Sequence, residues 1–108
     1  MTAPFVAGLR TRPRSLRIGP AGAPTIVLRV QGAEKWDAVR IDAPPSEPVL
    51  VLKMAALEAL FPAAEYHDDF VLKLRGFEVL DERASLSEIG AVNGSIFLLG
   101  HRRRRPVR

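Results

Sequence analysis

Between residues 70 and 99 the apolar side chains recur in a pattern that few folds can accommodate. Phe70, Leu72 and Leu74 alternate with Val71, Lys73 and Arg75, which is the period of a strand with one face buried. Gly76 follows as a turn, and Val79 and Leu80 begin a return toward the core. Asp81, Glu82 and Arg83 read as a solvated bend, and Leu86 and Ile89 close the bottom of the fold from within a polar segment. Asn93-Gly94 is a strong turn signal, because both residues tolerate the left-handed backbone a tight reversal needs. It launches a last strand on which Ile96 and Leu98 are expected to face inward, with Phe97 and Leu99 on the other face.

Upstream the chain offers one hairpin and one helix. Residues 25–31 alternate, with Ile26, Leu28 and Val30 to one side and Val27 and Arg29 to the other. Gly32 is expected to supply the turn, and residues 36–41 return with Val39 and Ile41 on one face. Pro44 and Pro45 end that strand, since neither can donate to a ladder. Ser46-Glu47-Pro48 reads as a helix start, with Ser46 as the capping side chain and Pro48 tolerated in the first turn. The helix should stop near Phe61, before Pro62. Val49, Leu52, Ala56 and Leu60 form a stripe for the sheet, and Leu50, Met54, Leu57 and Phe61 form a second one. The second stripe is expected to lie under the polar loop 62–69, the alternative being a surface for a partner or for self-association.

Charge divides the chain into three. Residues 1–24 carry Arg10, Arg12, Arg14 and Arg17 and no acid, and prolines and glycines interrupt any regular element. They read as a disordered basic arm, a mitochondrial presequence being the weaker alternative because the prolines spoil an amphipathic helix. Residues 101–108 form an Arg-rich tail, also free of acid. The body, 25–100, holds seven of the 16 basic residues against all 12 acidic ones. Such segregation bears on partners and solubility rather than on fold.

Taken in order, the hairpin, the helix, the alternating strand, the short strand, the plug turn and the closing strand resemble the ubiquitin-like β-grasp over residues 25–100. The resemblance implies an α+β fold with a mixed four- to five-stranded sheet packed on one α-helix, flanked by disordered N- and C-terminal arms. It also implies that the first and last strands, the most apolar ones, lie side by side and parallel at the sheet centre. Two departures bear on function. Ubiquitin-type modifiers close with a free Gly-Gly tail, whereas Gly100 is single, abuts the strand and is followed by His101 in a basic tail. The exposed isoleucine central to ubiquitin's recognition face falls on Lys73, so receptors that read that patch would have to bury an ammonium. Among unconjugated relatives the chain is similar to the small bacterial YukD-type proteins, through Gly90-Ala91-Val92-Asn93-Gly94 before the last strand. It is less similar to the ubiquitin-like domains of splicing factors, some of which end in a basic tail that contacts RNA. The bias of 13 arginines to three lysines also suits a high-GC bacterium.

Catalysis finds little in this sequence. With no cysteine, thiol chemistry and thiolate metal sites are excluded, and no phosphate loop or nucleophile motif is present. His67-Asp68-Asp69 cannot converge on one ion from adjacent loop positions, and His101 is expected far away in the tail, so neither a metal nor a cofactor is expected. No apolar run is long enough to span a membrane. The sequence therefore points to a non-enzymatic, cytoplasmic interaction module, an adaptor for protein partners it does not identify. The sheet residues Val71, Lys73, Arg75, Phe97 and Leu99 are nominated as the binding surface. The alternative is nucleic-acid binding through Arg102, Arg103, Arg104, Arg105 and Arg108. Five arginines would give weak, sequence-independent binding with a salt slope of about −3.5 for single strands. No aromatic side chains interleave to stack bases.

Overall fold

In a computed structural model of the chain, the structure describes residues 15–33 and 37–102. They form six strands and one helix: β1 (Ser15–Arg17), β2 (Ile26–Gly32), β3 (Ala38–Ala43), α1 (Val49–Leu60), β4 (Phe70–Leu74), β5 (Phe77–Glu78) and β6 (Ile96–His101). A short 3₁₀ turn, His67–Asp69, leads into β4. All six strands join one mixed sheet in the order β1-β3-β2-β6-β4-β5, with β2 and β6 parallel at its centre. This is the β-grasp arrangement expected from the sequence, with one helix packed on the sheet.

The core lies between α1 and the inner face of the sheet. Val49, Leu52, Ala56 and Leu60 are the stripe turned to the sheet, and none retains more than 1% of its surface. They pack on Leu28 and Val30 of β2, Val39 and Ile41 of β3, Leu72 and Leu74 of β4, and Phe97 and Leu99 of β6. Fully burying each such side chain contributes roughly 1.5–3 kcal/mol relative to leaving it in water. Leu86 plugs the open end with no exposed surface.

Two turns fix the register. Arg75 and Gly76 are both left-handed (φ 53° and 85°), the backbone of a two-residue hairpin whose twist matches its strands. Asn93-Gly94 does more than reverse the chain. Its Asn93 Oδ1 accepts the Val27 N–H at 2.7 Å and the Gly94 N–H donates to the Val27 carbonyl at 2.7 Å. A side chain thereby extends the β2–β6 ladder past the start of β6.

Several expectations are corrected. Ser46 does not cap α1: the first residue before the helix is Pro48, and no side chain caps it. The Val49 and Leu50 N–H groups instead donate to the Ala84 and Glu82 carbonyls, at 2.9 and 2.8 Å. The plug segment satisfies the helix terminus through its own backbone. Glu82 is not part of a solvated bend either, because its carboxylate meets the Lys53 ammonium at 2.7 Å. Lys53 is completely buried on α1, and a charge at such a site needs that partner. Leu80 does not return to the core and stays 84% exposed, leaving Val79 to do so. Gly32 does not make the hairpin turn: it is the last residue of β2, paired with Leu99. His101 is not in a remote tail but ends β6 opposite Phe70, its ring 4.4 Å from that of Phe70 and 6.2 Å from that of Phe61.

Ser15–Arg17, placed by the sequence in the N-terminal arm, is a sixth strand pairing in parallel with β3, so the sheet begins before residue 25. A three-residue strand flanked by proline and glycine carries too little periodicity to be read from sequence. The rest of the two basic arms, 1–14 and 103–108, and Trp36 lie outside the described residues.

The second helical stripe is not an open surface. Leu57 is buried, and Leu50 and Phe61 are half-buried, with the Phe61 ring 5.0 Å from that of Phe70. Pro62, Ala64, Glu65 and His67 line the same shallow depression as Leu57 and Phe61, so the loop borders the stripe rather than lying over all of it. Only Met54, at 48%, is substantially exposed, which weakens the self-association surface drawn through Leu50, Met54, Leu57 and Phe61.

Candidate protein-docking face

Strand pairing arranges the outer face of the sheet in rows. One row runs Ser15, Arg40, Arg29, Ile96 across β1, β3, β2 and β6. The next runs Ala38, Gln31, Leu98, Lys73, Glu78, reaching β4 and β5. A third pairs Gly100 with Val71. The centre of the face is thus Ile96 and Leu98 on β6, 54% and 41% exposed, with Arg29 on one flank and Lys73 on the other.

The sequence and the structure place this surface on different residues. Phe97 and Leu99, nominated as exposed, are wholly buried under α1, while Ile96 and Leu98, expected inside, face solvent. The parity of β6 is set by its partners: Phe97 pairs with Val30 and Leu74, and Leu99 pairs with Leu72, all on the inner face. Val71 does lie on the outer face, yet only 5% of it is exposed, beneath a shallow cleft of about 380 Å³ bordered by Ala33, Lys73, Glu78, Leu98 and Arg102. Lys73 is exposed on the face as nominated. Arg75 is exposed but belongs to the β4–β5 turn, where its guanidinium donates to the Gly90 carbonyl at 2.8 Å. It braces the plug segment rather than joining the face. Of the five nominated residues, the structure therefore brings Lys73 and the floor residue Val71 to one surface. Arg29, Ile96 and Leu98 were not nominated: the alternation of β2 already turned Arg29 away from the core, whereas β6, apolar at four consecutive positions, held no signal that could have found Ile96 and Leu98.

The electrostatics of the face are basic but partly neutralised. Arg40 donates to the Asp42 carboxylate at 3.0 Å, and this hydrogen bond, with the charge of Asp42 behind it, raises the guanidinium pKa above its ordinary value. Arg102 Nη1 donates to Glu78 at 3.1 Å, its Nε donates to the Asp68 carbonyl and its backbone N–H to that of Asp69. Arg102, one of the five arginines of the nucleic-acid alternative, is therefore fastened to the body. Arg103, Arg104, Arg105 and Arg108 lie outside the described residues. Among the described residues, no group of three or more His, Asp or Glu side chains could hold a metal ion, and no helix is long and apolar enough to cross a membrane.

The sequence matches no family model and no curated protein. Its fold does have known counterparts. The C-terminal ubiquitin-like domain of mouse tubulin-specific chaperone e superposes with a TM-score of 0.64 at 16% identity, over 82% of this chain and 97% of that one. A ubiquitin-like domain of an Arabidopsis thaliana protein gives 0.63 at 18% identity, over 83% and 90%. Caldiarchaeum subterraneum ubiquitin gives 0.62 at 15% identity, over 74% and 96%. The fold of this chain is ubiquitin-like.

Proposed function

We propose that this domain is a non-enzymatic, cytoplasmic protein-interaction module, an adaptor held in a larger complex through the open face of its sheet, and not a conjugated modifier. The observation that carries this reading is the centre of that face. A strand whose other side is the heart of the core turns Ile96 and Leu98 to water, between Arg29 and Lys73. An apolar centre rimmed by charge is the usual anatomy of a docking surface. Its counterpart would be an apolar patch rimmed by carboxylates.

The surroundings of Gly100 support the absence of conjugation. Gly100 is paired opposite Val71 inside β6, and a Cβ there would come within 2.9 Å of the Ala33 side chain. His101 continues the pairing and Arg102 is tied to residues 68 and 69. A carboxylate created at Gly100 would sit within the sheet, out of reach of an activating enzyme, which must hold the reacting group in a defined geometry. Non-catalytic action is supported by the shallowness of the clefts on the surface. The step Gly90-Ala91-Val92-Asn93-Gly94 supports nearness to the unconjugated YukD-type proteins.

The test compares capture by wild-type protein with capture by Ile96→Asp, Leu98→Asp and Lys73→Glu, from extract of the source cell, with partners identified by mass spectrometry. The reading expects the same partner to be lost from all three variants while their circular dichroism stays that of wild type. Equal recovery by wild type and Leu98→Asp would remove this face from consideration.

A further inference from the structure

The two layers of the fold carry opposite charge at their surfaces. On the outer face of the sheet, the exposed Arg29 and Lys73 flank Ile96 and Leu98, and no carboxylate among the described residues pairs with either cation. On the far side of the core, α1 turns Val51, Met54, Ala55 and Glu58 to solvent, three or four positions apart and so on one face. Val51 and Met54 keep 37% and 48% of their surface. These four residues border the depression of about 440 Å³ between the helix and the loop 62–69, and its rim carries Glu58 and Glu65, both exposed. No lysine or arginine lines it, and no cation among the described residues pairs with either carboxylate. This face is distinct from the stripe through Leu50, Met54, Leu57 and Phe61, most of which the core uses: only Met54 is common to both.

We propose that the sheet face docks on the helix side of a second copy of this chain, with Ile96 and Leu98 of one copy seated against Val51 and Met54 of the next. Arg29 and Lys73 then stand over Glu58 and Glu65. This inference rests on the docking face proposed above and names its occupant. That face calls for an apolar patch rimmed by carboxylates, and the chain carries such a patch on its opposite side. Each patch offers two exposed apolar side chains and two charges without an opposite partner among the described residues. Burial of the four apolar side chains drives the contact, and the thioether of Met54 adapts to the shape it meets. Exposed ion pairs add little affinity one at a time, so the charges act mainly by setting orientation and rejecting wrong partners.

The placement of the two patches decides the symmetry. A two-fold dimer sets one patch against itself, which would bring Arg29 and Lys73 onto their own copies, or Glu58 and Glu65 onto theirs. Juxtaposed like charges disfavour both arrangements. The front-to-back contact avoids them, and because the patches lie on opposite sides of a two-layer domain, it leaves one patch free at each end of a pair. Contacts of this heterologous kind extend into open chains unless their rotation closes a ring.

The test is sedimentation velocity of the full-length chain over a concentration series reaching the millimolar range. The mean mass should keep rising, with no plateau at the dimer. Leu98→Asp spoils the sheet patch and Met54→Asp the helix patch, so each variant alone should be monomeric. Mixed in equal amounts they should form a dimer and nothing larger, because each supplies the half that the other lacks. Lys73→Glu and Glu58→Lys, at exposed positions, decide the matter should Leu98→Asp fail to fold: each alone should weaken self-association at least about tenfold, and their mixture should regain it. A wild-type chain that stays monomeric throughout would overturn the proposal. If Leu98→Asp still lost its partner from cell extract, the docking face would stand and only its occupant would change. A dimer that both aspartate variants form unaided, or a mixture that stays monomeric, would equally overturn it. So would self-association abolished by Met54→Asp but not by Leu98→Asp, which would give the depression beside α1 to another part of the chain.

Discussion

On β6, Phe97 and Leu99 disappear under α1, while Ile96 and Leu98, one residue away, keep 54% and 41% of their surface in water. The two sets are alike in hydrophobicity and share one strand, so hydrophobicity cannot have sorted them. The inner set meets Val30, Leu72 and Leu74, whereas the outer set meets Arg29, Gln31 and Lys73. The same transfer free energy that holds the helix to one face is left unspent on the other. Apolar area on the inner face is fold stability already used. On the outer face it remains available to a partner, at the risk of aggregation. The comparison also locates the buried charge: Lys53 and Glu82 close the core at the helix entry, where Glu82 additionally lends its carbonyl to Leu50.

The largest effect should come from the inner face. Phe97→Ala leaves a cavity between α1 and the sheet and should cost roughly 3–5 kcal/mol of stability, read from the midpoint of urea unfolding. If Phe97→Ala cost no more than Leu98→Ala, the division between the faces would be wrong. Next, Glu82→Ala strands a fully buried ammonium and should cost about 3 kcal/mol, whereas Lys53→Met, which removes the charge and keeps the volume, should cost much less. Equal losses in a denaturation series would mean that Lys53 is wetter than the structure has it. A smaller change is expected for Asn93→Ala, which leaves the Val27 N–H without its side-chain acceptor and should cost about 1–2 kcal/mol. Faster amide exchange at Val27 than at Val30 in that variant would localise the damage to the start of the ladder. The smallest is Leu98→Ser on the outer face, within about 0.5 kcal/mol of wild type. Its phenotype should appear only in partner capture, and a large loss of stability would show that Leu98 packs after all.

The helix stripe was legible because 3.6-residue spacing leaves one solution: Val49, Leu52, Ala56 and Leu60 can share only one face, and they do. Phe70, Leu72 and Leu74 were legible for the same reason at period 2, since Lys73 marks the opposite face. On β6 no polar residue marks either side between Ile96 and Leu99, so alternation permits both assignments and the wrong one looked equally good. Lys53 and Glu82 are 29 residues apart, and nothing local to either announces the other. The same holds for Ser46, an acceptable cap displaced by carbonyls that arrive from residues 82 and 84.

By itself, the sequence determined the element order from β2 onward, the inward stripe of the helix and the turns at Gly76 and Asn93-Gly94. These depend on interactions within one turn or one strand, which spacing and backbone preference express directly. Only the tertiary structure decided which side of β6 is wet, which lysine is buried, and that residues 15–17 join the sheet. Each of those depends on register between segments far apart in the chain, and strand pairing sets that register across the whole fold.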